Sequence, residues 1–234
     1  MKNFLFVCNF KMNSLGVEKY KNAMLGKDYS NVVLCPNFCD LKEYSSLKST
    51  CNVKLGAQNV SCYEEGAKTG EISANMLKCI DVDFCIVGHS ERKRYNFETL
   101  EEINQKAKIL QKYKITPIIC VGEDVLKSAE FAQKYVLFEL NELLKDLDME
   151  NVIVAYEPVW SIGTGDVPSD EYIDAVLSAI KKYTPVKTTL YGGSFNQDNF
   201  ADISAIKSCD GALIGGASLK PEIICMMQEK LKND

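Results

Sequence analysis

The stretch Leu100–Val121, LEEINQKAKILQKYKITPIICV, sets two periodicities end to end. In its first half Leu100, Ile103, Ala107 and Leu110 recur at spacings of three and four, which puts them on one face of a helix. Its last six residues, Thr116–Val121, are apolar at almost every position. An unbroken apolar run of that length reads as a strand buried on both faces, the habit of parallel sheets. A helix feeding straight into such a strand is half of a βαβ unit.

Working outward, the same pattern repeats. Strand-like runs occur at Phe4–Asn9, Val32–Pro36, Val53–Gln58 and Phe84–Gly88 on one side, and at Val152–Tyr156, Thr188–Tyr191 and Gly211–Ile214 on the other. Further helical stripes are Ala129, Val136, Leu140, Leu143 and Ile173, Val176, Leu177, Ile180. Eight strands alternating with helices in 234 residues predict an α/β protein. The expected architecture is one (β/α)8 barrel over residues 1–234, eight parallel strands surrounded by helices. A doubly wound open sheet competes, but no G-x-G-x-x-G follows the first strand. The interval from Met12 to Val32 leaves room for only a small first helix.

Bulk properties narrow the function. A formal net charge of −5 argues against a broad nucleic-acid or anionic-membrane surface. The basic run Arg92-Lys93-Arg94 is too short to reverse that. No apolar stretch approaches the roughly 18 residues of a membrane span, and the run Phe4–Cys8 is shorter than the about 7–15 residues of a signal-peptide core. A cytoplasmic protein is expected. The ten cysteines form no C-x-x-C pair and there is one histidine, so no metal is expected and the thiols read as reduced, mostly buried small hydrophobes.

Barrels carry their chemistry on the loops that follow the strands, and the unusual residues lie there. They are Asn9-Phe10-Lys11, Gly88-His89-Ser90-Glu91-Arg92, Tyr156-Glu157-Pro158, Tyr191-Gly192-Gly193-Ser194 and Gly215-Gly216. Glu157, held at the mouth by an apolar strand, gains basicity as burial disfavours its charge. A structural carboxylate paired with a cation is the plain alternative. His89 opens what reads as a helix, whose N-terminus disfavours a charged imidazole. Lys11 is free to pair with Glu91, to bind substrate, or both. Gly163, Gly192, Gly193, Gly215 and Gly216 offer bare backbone N–H groups that can cradle a phosphate, helped by Ser194. The segment Pro158, Val159, Trp160, Ser161, Ile162, Gly163, Thr164, Gly165, apolar in the middle with Pro and Gly at its ends, suits a lid that excludes water.

Nine motifs in one order make the chain similar to the triosephosphate isomerase family over essentially its whole length. They are Asn9-Phe10-Lys11-Met12-Asn13, Gly56-Ala57-Gln58-Asn59, Thr69-Gly70-Glu71-Ile72-Ser73, Gly88 to Arg92, Cys120-Val121-Gly122-Glu123, Ala155 to Trp160, Ile162 to Gly165, Tyr191 to Ser194, and Gly215-Gly216-Ala217-Ser218-Leu219. The resemblance implies a cofactor-independent interconversion of dihydroxyacetone phosphate and D-glyceraldehyde 3-phosphate, in glycolysis and gluconeogenesis. It implies Glu157 as base and neutral His89 as electrophile and proton donor, a pairing carried over from the family rather than deduced from position. It makes Lys11 a substrate-binding cation with Asn9 beside it, gives Ser90 and Glu91 supporting roles, and assigns the phosphate to Gly163, Ser194, Gly215 and Gly216. Leu213 and Ile162 would then press on the Glu157 carboxylate. The resemblance also implies a homodimer through the Thr69-Gly70-Glu71 loop, which would sit beside the partner's Lys11 loop.

The chain departs from the family pattern in places. Phe10 stands where Trp is common, and Lys93 stands where relatives often carry a second Arg and make a stronger ion pair. Asp166-Val167-Pro168 replaces a Lys-Thr-Ala lid end, and Pro168 lacks the N–H that relatives donate to the tyrosine matching Tyr191. A less stabilised closed lid is expected. Rival readings are a phosphosugar aldolase using Lys11 as a Schiff base, and a barrel that binds a metabolite without turning it over.

Overall fold

In the computed structural model, residues 4–233 are described, so the outer limits of the expected 1–234 domain lie outside the described residues. The strands are β1 (Leu5–Asn9), β2 (Val32–Cys35), β3 (Lys54–Ala57), β4 (Phe84–Val87), β5 (Thr116–Val121), β6 (Ile153–Tyr156), β7 (Thr188–Tyr191) and β8 (Gly211–Ile214). They pair in parallel in chain order and β8 returns to β1, which closes the barrel. The expected fold class therefore holds, with β5, β7 and β8 bounded as read from the sequence and the other five shorter by one or two residues.

The apolar runs are explained by two cores. On β5, Ile118 and Cys120 point into the barrel with Val7, Val33, Ile86 and Leu213, while Ile119 and Val121 face the helices. Both faces of each strand are thus removed from water, and alternation disappears. Gly211 shows how tight the barrel wall is: a Cβ there would lie 2.3 Å from the Leu5 carbonyl oxygen.

Ten helices surround the strands among the described residues: α1 (Val17–Met24), α2 (Leu41–Tyr44), α3 (Leu47–Cys51), α4 (Ala74–Cys79), α5 (Ser90–Asn96), α6 (Leu100–Lys112), α7 (Ala129–Leu143), α8 (Asp170–Tyr183), α9 (Phe200–Ala205) and α10 (Pro221–Asn233). The first is small, as its short interval requires. Thr99 and Glu102 form a reciprocal capping box that starts α6, and Ser128 and Ser169 cap α7 and α8. The stripe on α8 is buried throughout. Two other stripes need correction. Leu100 and Ala129 stand at helix starts and are only partly buried. On α7 the core face is instead Ala132, Val136, Leu140 and Leu143, together with a buried glutamate, Glu139. Six of the ten cysteines are buried. No helix among the described residues is long and apolar enough to cross a membrane.

Candidate active site

Register decides where the site lies. Val121, Tyr156 and Tyr191 are partners across β5, β6 and β7. The next residue on each strand is Gly122, Glu157 and Gly192, so Glu157 leaves the barrel between two glycines. Neither neighbour has room for a side chain. A Cβ on Gly122 would lie 1.7 Å from the Glu157 carbonyl oxygen, and one on Gly192 would lie 2.9 Å from Glu157 Cγ. The backbone N–H of Glu157 donates to the Val121 carbonyl at 2.7 Å. The side chain is 2% exposed, and one of its two oxygens has a hydrogen bond of ordinary geometry while the other only approaches the imidazole. Oε2 accepts the Ser90 backbone N–H at 2.9 Å, and Oε1 lies 3.0 Å from His89 Nε2.

His89 is the N-cap of α5, and its Nδ1 accepts the Glu91 N–H at 3.2 Å. A ring nitrogen that accepts carries no proton, so the neutral imidazole holds its proton on Nε2, facing Glu157. Burial opposes charge on both groups. Against it, the Glu157 carboxylate raises the imidazole above its ordinary value, and His89 with the Ser90 N–H holds the Glu157 carboxyl below its own.

Lys11, two residues past the end of β1, has φ at +52°, a left-handed conformation rarely adopted by a residue with a side chain. Its N–H donates to Asn9 Oδ1 at 3.1 Å, and its carbonyl accepts from Gln58 Nε2 at 3.0 Å. Its Nζ meets Glu91 Oε1 at 2.7 Å, which realises the pairing read from the sequence.

One cavity of about 200 Å³ joins these groups. Asn9, Lys11, His89 and Glu157 line one part of it. Gly163, Ser194, Gly215 and Gly216 line the other, with Ile162 and Leu213 in the wall. All eight residues read as catalytic or substrate-binding thus meet in one space, while Ser90 and Glu91 touch Glu157 and Lys11 from outside it. Among the described residues no group of three or more His, Cys, Asp or Glu is arranged to hold a metal.

The lid segment is pinned at its near end. Val159–Ser161 form a short 3-10 turn. Ser194 Oγ donates to the Ser161 carbonyl at 2.6 Å, so its hydroxyl is engaged by the lid. Gly163 and Gly165, at φ +73° and +86°, form the exposed tip. Pro168 is buried at the far end, and the buried Tyr191 hydroxyl lies beside Ser161 with no hydrogen bond of ordinary geometry.

Two partners were not read from the sequence. Glu123 is 1% exposed and accepts from Tyr156 Oη at 2.9 Å, Trp160 Nε1 at 2.9 Å and Tyr172 Oη at 3.3 Å. Its signal was present, since it follows an apolar strand as Glu157 does. Gln58 also holds the Cys35 carbonyl at 2.9 Å, tying the Lys11 turn to β2.

The family profile described as triosephosphate isomerase matches residues 4–231. The chain belongs to the triosephosphate isomerase family. Among curated relatives, the triosephosphate isomerase of Trichodesmium erythraeum is 39% identical over 95% of this chain and 96% of its own length. That of a Picosynechococcus species is 41% identical over the same shares. That of Mycoplasmopsis agalactiae is 40% identical over 94% of this chain and 93% of its own. The triosephosphate isomerases are isomerases.

Proposed function

We propose that this chain interconverts dihydroxyacetone phosphate and D-glyceraldehyde 3-phosphate through an enediolate, with no cofactor, as a cytoplasmic enzyme of glycolysis and gluconeogenesis. The observation that carries the reading is the cavity with the Glu157–His89 contact in one part and Gly163, Ser194, Gly215 and Gly216 lining the other. In this reading the phosphate lies along Gly163, Ser194, Gly215 and Gly216, and Lys11 and Asn9 bind the triose. Glu157 removes a proton from the carbon next to the carbonyl, and His89 Nε2–H donates to the oxygen that gathers charge. Glu157 then returns the proton to the neighbouring carbon, which exchanges aldehyde and ketone.

The electrostatics favour that sequence. His89 Nε2 and Glu157 Oε1 lie 3.0 Å apart, and their charges favour each other. A carbonyl oxygen that takes the Nε2 proton deprives Glu157 of its strongest partner. Burial is then opposed only by the Ser90 N–H and Lys93, and the basicity of the carboxylate rises at the moment it is needed. Closure of Pro158–Gly165 would exclude water from an intermediate that otherwise eliminates phosphate. The Lys11 amine is engaged by Glu91 at 2.7 Å, which weighs against the Schiff-base alternative.

The same proposal includes a homodimer. A second cavity of about 290 Å³ opens beside Lys11 and is lined by Met12, Phe38 and Tyr95. Met12 is 98% exposed, unusual for an apolar residue next to a catalytic turn. The exposed Thr69-Gly70-Glu71 loop of a second copy would cover it. Sedimentation equilibrium is expected to give twice the 26.2 kDa chain mass.

The decisive assay follows D-glyceraldehyde 3-phosphate into dihydroxyacetone phosphate. Rapid conversion is expected, falling by orders of magnitude in Glu157→Asp, where the carboxylate is withdrawn by about one bond length. A folded chain that binds a phosphosugar without converting it would leave the metabolite-binding barrel as the better account.

A further inference from the structure

Behind Glu157, on the side away from the proposed substrate cavity, lies a larger space of about 510 Å³. Ser90 and Lys93 of α5, Gly122 after β5, Glu139 of α7 and Trp160 of the lid line it. It separates two pieces of backbone that hold the carboxylate. One is the start of α5, whose Ser90 N–H binds Glu157 Oε2. The other is Val121-Gly122, which binds the Glu157 N–H and packs on its carbonyl. The pairing of β4 with β5 ends at Val87 and Ile119, and beyond it this space lies between the two pieces.

One side-chain pair spans the gap. Lys93 lies one helical turn after Ser90, and its Nζ meets Glu139 Oε1 at 2.7 Å. The other oxygen of Glu139 accepts the Gly122 N–H at 3.2 Å. The contacts close into a ring: Glu157 carboxylate to Ser90, along α5 to Lys93, across to Glu139, on to Gly122 and Val121, and back to the Glu157 backbone. A glutamate only 6% exposed on the core face of α7 has no packing reason to be there.

We propose that Glu139 and Lys93 are positioning residues for the Glu157 base, a cross-brace that fixes the start of α5 against the end of β5. The inference rests on Glu157 being the base, as proposed above. The brace also sets the local field. From α5, Ser90 N–H, Lys93 and Arg94 face this space. From β5 and its loop come Cys120, buried against Glu157, and Asp124. From α7 come Tyr135 and Glu139, and from the lid Val159 and Trp160, which carry no charge. Behind the pull of burial and the stronger opposing effect of His89, the positive charge of Lys93 helps to hold the Glu157 carboxyl low. Glu139 partly cancels that charge.

The test is steady-state kinetics against pH for wild type, Lys93→Met, Lys93→Arg, Glu139→Gln and Glu139→Ala, with folding checked by circular dichroism. Lys93→Met and Glu139→Ala are expected to lower kcat by about tenfold through misplacement of the base, with KM within about twofold. Lys93→Arg is expected to retain activity. The acid limb of kcat/KM should move up in Lys93→Met, which removes a cation near Glu157, and down in Glu139→Gln, which unmasks that cation. A merely structural ion pair would not move the limb in opposite directions. Folded variants with unchanged kcat, or limbs that stay put or move together, would overturn the brace. Should Glu139→Ala not fold, Glu139→Gln and Lys93→Met decide alone. Wild type without isomerase activity would instead remove the proposed reaction, and this inference with it.

Discussion

Glu123 and Glu157 stand side by side at the ends of β5 and β6, each following an apolar strand and each almost fully buried. Their partners separate them. Glu123 is surrounded by three neutral donors, two tyrosine hydroxyls and the indole N–H of Trp160, none of which it could usefully deprotonate. It is an anchor for the lid and for α8. Glu157 has one backbone N–H and one imidazole, and its side chain borders an open cavity. In the proposed reaction burial alone would not make Glu157 a base; its partner would have to be one that a substrate can take away.

Removing each carboxylate tests that contrast. Glu157→Gln is expected to lose about 10³-fold or more in kcat with little loss of folding stability at pH 8, read by assay and urea denaturation. Glu123→Ala should do the reverse. Three donors left without an acceptor are expected to lower stability by about 3 kcal/mol, with kcat changed by no more than about tenfold. Equal rate losses in the two variants would erase the distinction.

A finer comparison uses pH. The carboxyl of Glu157 is held below its ordinary 4.5, so its contribution to stability is present above 4.5 and lost as pH falls through the lowered folded value. The imidazole of His89 is raised above its ordinary 6.5, so its contribution is present below 6.5 and lost as pH rises through the raised value. The pair thus stabilises most between pH 4.5 and 6.5. The melting temperature of Glu157→Gln should trail wild type most in that window and converge toward it at higher pH. A constant offset from pH 4 to 9 would contradict the coupling.

The smallest expected effect lies at the lid's far end. Pro168→Ala supplies the backbone N–H that proline lacks, and the buried Tyr191 hydroxyl, which has no hydrogen bond of ordinary geometry, is its proposed acceptor. One added hydrogen bond of about 1 kcal/mol should favour closure by about fivefold. Trp160, the only tryptophan, can report it by fluorescence during titration with a phosphate-bearing inhibitor. An unchanged open–closed equilibrium would show that the proline is not what limits the latch.

Much of this was legible in residues 4–231 as a string. The strands announced themselves because both faces are buried, and the site because polar residues followed apolar runs at five strand ends. Helices α2, α3, α4 and α9, at four to six residues each, are too short to show a period of 3.6. Glu139 escaped because a glutamate in an amphipathic stripe reads as solvent-facing, and only the void beside it explains its place. The left-handed turn at Lys11 escaped because nothing in Asn9-Phe10-Lys11 demands it; hydrogen bonds from the Lys11 N–H to Asn9 Oδ1 and from Gln58 Nε2 to the Lys11 carbonyl hold it.

Barrel closure has a consequence for the order of events during synthesis. Leu5 pairs with Gly211, partners 211 − 5 = 206 residues apart. The cavity takes Lys11 from just after the first strand and Gly215 and Gly216 from just after the last. A growing chain on the ribosome can form its early β–helix–β units as they emerge. The substrate pocket has no partial version, because its two walls are made at opposite ends of translation. Activity should appear abruptly when the final strand docks, and a chain halted before β8 should be folded in part and catalytically silent.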